Sequence, residues 1–292
     1  MSALATEVKN RALEKIILAL RENAGQIIAA NQADLERAQK EALDPPLLKR
    51  LKFDEQKLND ACEGIQGLVG LEDPVGKTLS GLELDKGLEL YKVSRPIGVI
   101  GVIFESRPDA LVQIAALCLK SGNTVLLKGG SEASATNQIL ASVILSAGVA
   151  AGCPQGWLGL LETRSDVSKM LELDHAVDLI IPRGSNAFVE YIMDNTNIPV
   201  LGHADGICHL YIDRQADENM AVDLAVDGKT QYVAVCNAIE TILVHEVVSE
   251  TVLPPLKDAL ELKNVLISGC EKTRTVIDVM PATDEDWQTE YL

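Results

Sequence analysis

Aromatic residues and positive charge are both scarce in this sequence. The first shortage excludes an aromatic core, and the second argues against one class of function. Aromatic residues make up 3% of the 292 residues, while hydrophobic residues reach 47%, so the core must be aliphatic. The chain has 26 lysine and arginine residues against 43 aspartate and glutamate residues, a formal net charge of −17. Nucleic-acid affinity depends on cationic contacts with phosphates, so this balance argues against a nucleic-acid-binding protein.

Paired cysteines, metal-ligand spacings and membrane-spanning runs are also missing. The six cysteines contain no CxxC pair, and the four histidines form neither an HExxH nor an HxH arrangement. This pattern predicts a reduced intracellular protein without a metal site. The first residues lack the apolar segment of a secretory signal, and no apolar run reaches spanning length. We therefore expect a cytoplasmic protein that binds no membrane, with one large domain or two smaller ones.

The first third of the chain is predicted to be helical and to end in a hairpin. Apolar residues recur at three- and four-residue steps over residues 6–40 and again from Asp54 to Val69, which is typical of amphipathic helices. Residues 82–93 then alternate apolar and polar around Lys86-Gly87, which predicts a β-hairpin with one polar face. Because an isolated hairpin is marginally stable in water, we expect it to pair with another element, such as another subunit.

From Pro96 onward, short apolar runs alternate with helical segments. The runs are Val99–Phe104, Thr124–Leu127, Trp157–Leu161, Val177–Ile181 and Ile207–Ile212. Continuous apolar strands alternating with helices predict an α/β fold with a parallel sheet covered on both faces. Ligands of such sheets bind at the carboxyl ends of the strands.

Several loops after these runs carry groups suited to polar ligands. Lys128-Gly129-Gly130-Ser131 sits between a strand and a helix, where backbone N–H groups and a cation can hold a phosphate or a ribose. It matches neither GxGxxG nor a Walker A motif, so an ordinary strand–helix turn stays an alternative. Arg183-Gly184-Ser185 is either a similar site or a solvated turn. Arg107 and Arg183 are cationic candidates for substrate or coenzyme anions, or surface residues.

Cys236 is the candidate nucleophile. A helix that ends at a glycine break, Gly228-Lys229-Thr230, precedes it, and a buried strand including Ile242–Val244 follows. Backbone N–H groups at such a break lower a thiol pKa and can stabilise an oxyanion. The alternative is a buried cysteine that packs as a small hydrophobic residue. A helix at Val252–Glu261 and a strand at Val265–Ile267 would begin a second α/β unit.

Several stretches together resemble the γ-glutamyl phosphate reductase family, or glutamate-5-semialdehyde dehydrogenases, a proline-biosynthetic branch of the aldehyde dehydrogenase superfamily. The stretches are RPIGVIGVIFESRP (residues 95–108), GNTVLLKGG (122–130), LGHADGICH (201–209), VCNAIET (235–241) and DEDWQTEYL (284–292). The resemblance implies an aldehyde-dehydrogenase-like fold. A Rossmann-type NADPH-binding domain would span residues 1–216, and the N-terminal part of a catalytic domain would span residues 217–292.

The resemblance also implies roles for individual residues. Cys236 would displace phosphate from L-glutamyl 5-phosphate to form a thioester, which hydride from NADPH reduces. Lys128 and Gly129 would lie at the adenosine ribose, and Ser131 would leave room for a 2′-phosphate. Gly184 and Ser185 match the family's turn near the pyrophosphate and nicotinamide. Ser106 falls where superfamily members carry the oxyanion-hole asparagine, a role that backbone N–H groups near Cys236 could fill instead.

One departure from the wider superfamily bears on the reaction. Oxidising members carry a Glu-Leu-Gly-Gly motif whose glutamate activates water, whereas this chain has Val200-Leu201-Gly202-His203. Without that carboxylate, hydrolysis of a thioester is unassisted. The sequence therefore favours an acyl-phosphate reductase over an aldehyde-oxidising dehydrogenase, which stays the alternative within the superfamily.

A second departure concerns length. Members of the family continue well beyond residue 292, with a segment that pairs across subunits with the hairpin near residues 82–93. We therefore expect a truncated member with impaired turnover, or a non-catalytic nucleotide-binding protein. The family is homo-oligomeric, and the resemblance also implies association with glutamate 5-kinase.

Overall fold

The computed structural model describes residues 1–105, 107–184, 186–202, 206–233, 235 and 237–291. The chain divides into two compact units, Met1–His203 and Ala204–Leu292. We predicted a domain boundary after residue 216. The division between the units falls earlier in the chain, after residue 203, because the segment Cys208–Ile212 pairs with a strand of the second unit.

Four helices begin the first unit: α1 (Thr6–Glu22), α2 (Ala24–Lys40), α3 (Pro45–Leu51) and α4 (Glu55–Gly70). The predicted helical block over residues 6–40 is interrupted at Asn23, whose amide nitrogen Nδ2 donates to the carbonyl of Ala19 at 2.8 Å. Asp54 caps α4 by accepting a hydrogen bond from the backbone N–H of Lys57. The apolar faces of α1 and α4 are buried in the main core of this unit.

The predicted hairpin is confirmed as β1 (Thr78–Asp85) paired antiparallel with β2 (Leu88–Val93). Gly87, with φ of 79°, supplies the left-handed conformation that its turn requires. The expectation of one polar face was incomplete, because every residue of both strands is exposed. The exposed side chains include five leucines: Leu79, Leu82, Leu84, Leu88 and Leu90.

The sheet of the first unit alternates with helices in chain order. Its elements are β3 (Val99–Ile103), α5 (Pro108–Lys120), β4 (Thr124–Lys128), α6 (Ser134–Ala151), β5 (Leu158–Leu160), α7 (Arg164–Leu171), β6 (Leu179–Pro182) and α8 (Asn186–Asp194). The spatial order is β5-β4-β3-β6, and every pair is parallel. The predicted parallel sheet is therefore confirmed for the first four apolar runs.

The strand order changes direction at β3. The chain moves outward from β3 through β4 to β5, and then returns to place β6 on the other side of β3. Beyond β6, a single parallel bridge joins Ile180 to Val200. The prediction that Ile207–Ile212 joins this sheet was wrong, because that run pairs outside it. Parallel sheets bind ligands where the order reverses, so the loops after β3 and β6 mark the expected crevice.

Helix α6 is the central apolar helix of this unit. With the short turn before it, Ser131–Ala151 is long and apolar enough to cross a membrane by length and composition, contrary to our expectation from the sequence. Its buried side chains Leu140, Ala141 and Ile144 belong to the main core. Gly148 lets the indole of Trp157 approach, since a Cβ there would lie 2.7 Å from Nε1. Packing inside the unit accounts for the apolar sequence of α6.

The second unit consists of β7 (Cys208–Ile212), α9 (Glu218–Thr230), β8 (Ile239–Val244), α10 (Ser249–Glu261), β9 (Ser268–Gly269), α11 (Glu271–Val276) and β10 (Met280–Pro281). Strands β7 and β8 are parallel, as are β9 and β10. The predicted strand Val265–Ile267 was wrong in position, because the strand begins at Ser268. The predicted glycine break was also wrong: α9 continues through Gly228, where a Cβ would overlap Ile239.

Candidate functional site

Three loops meet at the carboxyl edge of the first unit's sheet. The backbone N–H of Phe104, just after β3, donates to the carbonyl of Lys128 at the end of β4 at 2.9 Å. On the other side, the N–H of Arg183, just after β6, donates to the carbonyl of Ile103 at 2.8 Å. These bonds fix the loops after β4, β3 and β6 side by side. The reversal of strand order lies at the same edge.

The loop after β4 carries three of the predicted coenzyme residues. Lys128 is half-buried, and its Nζ donates to the carbonyl of Gly129. Gly129 is required by packing, because a Cβ there would overlap Asn137 and lie 3.3 Å from the ring of Phe104. Ser131 is exposed and begins the short 3₁₀ turn that leads into α6. The loop thus presents a cation and a small hydroxyl at the sheet edge.

Gly184 belongs to the loop after β6 and brings that loop against the one after β3. A Cβ at Gly184 would lie 3.0 Å from the ring of Phe188 and 3.2 Å from a carboxylate oxygen of Glu105. The small residue lets backbone and ligand approach closely there. Glu105 is a carboxylate at the crevice that the sequence analysis did not select. Its position directly after a buried strand was the available indication.

A second charged group lies at the start of α5. Arg107 Nη2 donates to Asp109 Oδ2 at 3.3 Å, so this cationic candidate has a carboxylate partner. Burial lowers the pKa of the nearby Lys57, an effect that the charge of Asp109 opposes and that of Arg107 reinforces. This cluster borders the loop after β3. Arg183, the other cationic candidate, is exposed.

The connection between α9 and β8 contains the predicted nucleophile in the second unit. Within it, the N–H of Ala238 donates to the carbonyl of Val235 at 3.1 Å. An ion pair holds its two ends, with Lys229 Nζ 3.1 Å from Glu240 Oε2 and both side chains largely buried. Lys229 also donates to the carbonyl of Tyr291 at 3.2 Å. The flanking residues of the predicted nucleophile loop are therefore firmly anchored.

Three of the predicted site residues, Ser106, Ser185 and Cys236, lie outside the described residues. The structure brings Lys128, Gly129, Ser131 and Gly184 to one edge of one sheet. Among the residues that are described, no group of three or more His, Cys, Asp or Glu side chains could hold a metal ion. What the described edge offers is three loops held side by side, with Lys128 and Arg183 among their residues, at the edge where parallel sheets bind ligands.

Both the sequence and the structure of the chain are similar to those of known proteins. The model of the aldehyde dehydrogenase family matches residues 1–273. A protein named gamma-glutamyl phosphate reductase from Pelotomaculum thermopropionicum is 63% identical over 292 residues, covering 100% of this chain and 67% of that protein. One of the same name from Acetivibrio thermocellus is 62% identical, with 68% of its length covered. The chain thus spans about two thirds of these curated relatives.

Solved structures give the same result. The crystal structure of gamma-glutamyl phosphate reductase from Thermotoga maritima matches with a TM-score of 0.92 and 38% identity, covering 99% of this chain and 71% of that one. An acetylating aldehyde dehydrogenase from Geobacillus thermoglucosidasius matches with a TM-score of 0.60 at 18% identity, a likeness of fold alone.

Proposed function

Because the chain belongs to the γ-glutamyl phosphate reductase family, within the aldehyde dehydrogenase family, we propose that it reduces L-glutamyl 5-phosphate in proline biosynthesis. The products are L-glutamate 5-semialdehyde and phosphate, and the coenzyme is NADPH. The observation that carries the proposal is the 63% identity to a gamma-glutamyl phosphate reductase over the whole of this chain.

Cys236 is the nucleophile in this proposal. Its thiolate attacks the acyl carbon of the substrate, the C–O bond to phosphate breaks, and a thioester forms. The resemblance assigns the oxygen that gains negative charge to the hydroxyl of Ser106 or, in its place, to backbone N–H groups near Cys236. When bound, NADPH supplies the hydride that reduces the thioester. The C–S bond then breaks, and the semialdehyde leaves while the cysteine is restored.

In this proposal the coenzyme binds at the carboxyl edge of the first unit's sheet. Lys128 and Gly129 hold the adenosine ribose, and the exposed Ser131 leaves space for a phosphate on its 2′ oxygen. Gly184 and Ser185 border the pyrophosphate and nicotinamide. The convergence of these loops at the reversal of strand order supports the assignment.

In the reverse reaction, the acyl group of the thioester is proposed to pass to phosphate rather than to water. The stretch Val200-Leu201-Gly202-His203 lacks the glutamate of the Glu-Leu-Gly-Gly motif, so no carboxylate at this position assists attack by water. The same absence counts against an aldehyde-oxidising dehydrogenase.

We propose further that the protein is a homo-oligomer of the cytoplasm, and the exposed hairpin supports the oligomer. Leu82, Leu84, Leu88 and Leu90 are each more than half exposed, and a contiguous apolar surface of this kind is typical of an interface.

The reverse reaction tests the proposal. The chain is mixed with NADP⁺ and glutamate 5-semialdehyde, and NADPH formation is followed by absorbance with and without inorganic phosphate. We expect steady turnover only with phosphate, because phosphate must accept the acyl group while the hydride passes to NADP⁺. Equal rates in both mixtures would indicate hydrolysis and contradict the proposal. No NADPH in either mixture would contradict the proposal for this chain.

A further inference from the structure

Arg37 joins helix α2 to the turn after β4. Its Nη2 donates to the carbonyl of Ser131 at 3.2 Å and to the carbonyl of Glu132 at 3.1 Å. The same nitrogen lies 2.6 Å from Asp34 Oδ1. The Arg37 side chain is 41% exposed. One edge of the guanidinium is therefore fixed to the protein at the turn that carries Ser131.

The other edge of the guanidinium remains available for a ligand. An arginine side chain has five N–H donors, three of them on Nε and Nη1. None of the hydrogen bonds found for Arg37 among the described residues uses those two nitrogens. A planar guanidinium bonded through one nitrogen, on a side chain that is 41% exposed, is well suited to a phosphate group.

The amino end of α6 does not supply this function, because a protein carboxylate already occupies it. Asp34 is fully buried. Its Oδ2 accepts the backbone N–H of Thr136 at 2.8 Å and the hydroxyl of the same residue at 2.7 Å, and its Oδ1 lies 3.3 Å from the N–H of Ala135. A phosphate beside this turn must therefore be neutralised by side-chain cations rather than by the helix end.

We propose that Arg37 binds the ribose 2′-phosphate of NADPH and thereby sets the preference for NADPH over NADH. The inference rests on the proposed function, which assigns the adenosine ribose to Lys128 and the space beside it to Ser131. Arg37 is bonded to the backbone of Ser131, so its guanidinium lies next to that space. It also offsets the negative charge of Asp34 and Glu132, which would otherwise repel a phosphate.

The test compares Arg37→Met with a matched control, Arg11→Met. Arg11 Nη2 also donates to a backbone carbonyl of α6, that of Ala151 at 3.2 Å, but at the opposite end of the helix. Dissociation constants for NADPH and NADH are measured by titration of the full chain, and those for 2′,5′-ADP and 5′-AMP by calorimetry. We expect Arg37→Met to lower the affinity for NADPH and for 2′,5′-ADP by about tenfold, and to leave the affinity for NADH and 5′-AMP unchanged. Arg11→Met should change none of the four.

Arg37→Met could also disturb the turn, so a second variant is needed. Ser131→Glu keeps every described contact of Arg37 and places a carboxylate where the 2′-phosphate would lie. Ser131→Glu should weaken the binding of NADPH but not that of NADH. Adding Arg37→Met should then lower the affinity for NADPH little further, since each change removes the same interaction. Equal weakening of NADH and NADPH by Arg37→Met would mean that Arg37 only supports the turn, and would overturn the inference.

The same titrations separate this inference from the proposed function. If the unaltered chain binds NADPH more tightly than NADH, and Arg37→Met leaves that preference intact, the inference about Arg37 fails and the proposed function stands. If the unaltered chain binds neither coenzyme, the proposed function fails, and the role of Arg37 fails with it.

Discussion

Replacing Cys236 with serine lowers phosphate-dependent NADPH formation by about a thousandfold or more, while the affinity for NADPH stays the same. A serine hydroxyl is not ionised near neutral pH, and without a neighbouring base it is a poor nucleophile. The measurement is the initial rate with glutamate 5-semialdehyde, NADP⁺ and phosphate, together with NADPH titration of the same preparation.

The matched control for this variant is Cys270→Ser. Cys270 is an exposed cysteine, and hydrogen bonding from Thr273 lowers the pKa of its thiol. It is therefore the described cysteine most ready to react with thiol reagents. Cys118, by contrast, is buried, which raises its thiol pKa to about 11. Cys270→Ser should retain full activity, and equal loss in both serine variants would contradict the assignment of Cys236.

Replacing Asp34 with alanine destabilises the first unit by about 1–3 kcal/mol for each buried donor that loses its partner. The buried carboxylate accepts hydrogen bonds from Thr136 and pairs with Arg37. Its removal leaves buried donors at the start of α6 unpaired, and each such donor is costly. The expected result is a lower urea midpoint for the unfolding of this unit.

Tryptophan fluorescence can report on the first unit alone. The chain has two tryptophans: Trp157 is buried in the first unit, and Trp287 is in the second. A Trp287→Phe background leaves Trp157 as the reporter. Asp44→Ala is the matched control, because Asp44 is exposed and makes no side-chain capping bond. If Asp34→Ala lowers the free energy of unfolding by less than about 1 kcal/mol, the buried hydrogen bonds of Asp34 do not stabilise this unit as described.

The parallel sheet could be predicted because its strands are continuous apolar runs separated by helical periodicity. The hairpin was equally clear from its alternating pattern around Lys86-Gly87. The position of Ile207–Ile212 could not be inferred in the same way, because an apolar run indicates a buried strand but not its partner. Only the pairing with β8 assigns this run to the second unit.

The polar residues around Arg37 were missed for a different reason. The apolar side chains of α2 predict the helix, whereas the polar residues Asn31, Asp34 and Arg37 recur along it at three-residue steps. Such spacing puts polar groups on one face of a helix, and a buried polar face needs partners. That pattern was the available indication. The partners at Ser131, Glu132 and Thr136 lie about a hundred residues away, so the sequence could not identify them.

The most direct test of the account is the amount of NADPH formed in the first turnover without phosphate. Rapid mixing of the chain with NADP⁺ and glutamate 5-semialdehyde should give about one NADPH per active chain and then stop, because the thioester on Cys236 has no acceptor. Adding phosphate should restart the reaction. Continued linear formation of NADPH without phosphate would contradict the account, since it would require water to release the acyl group.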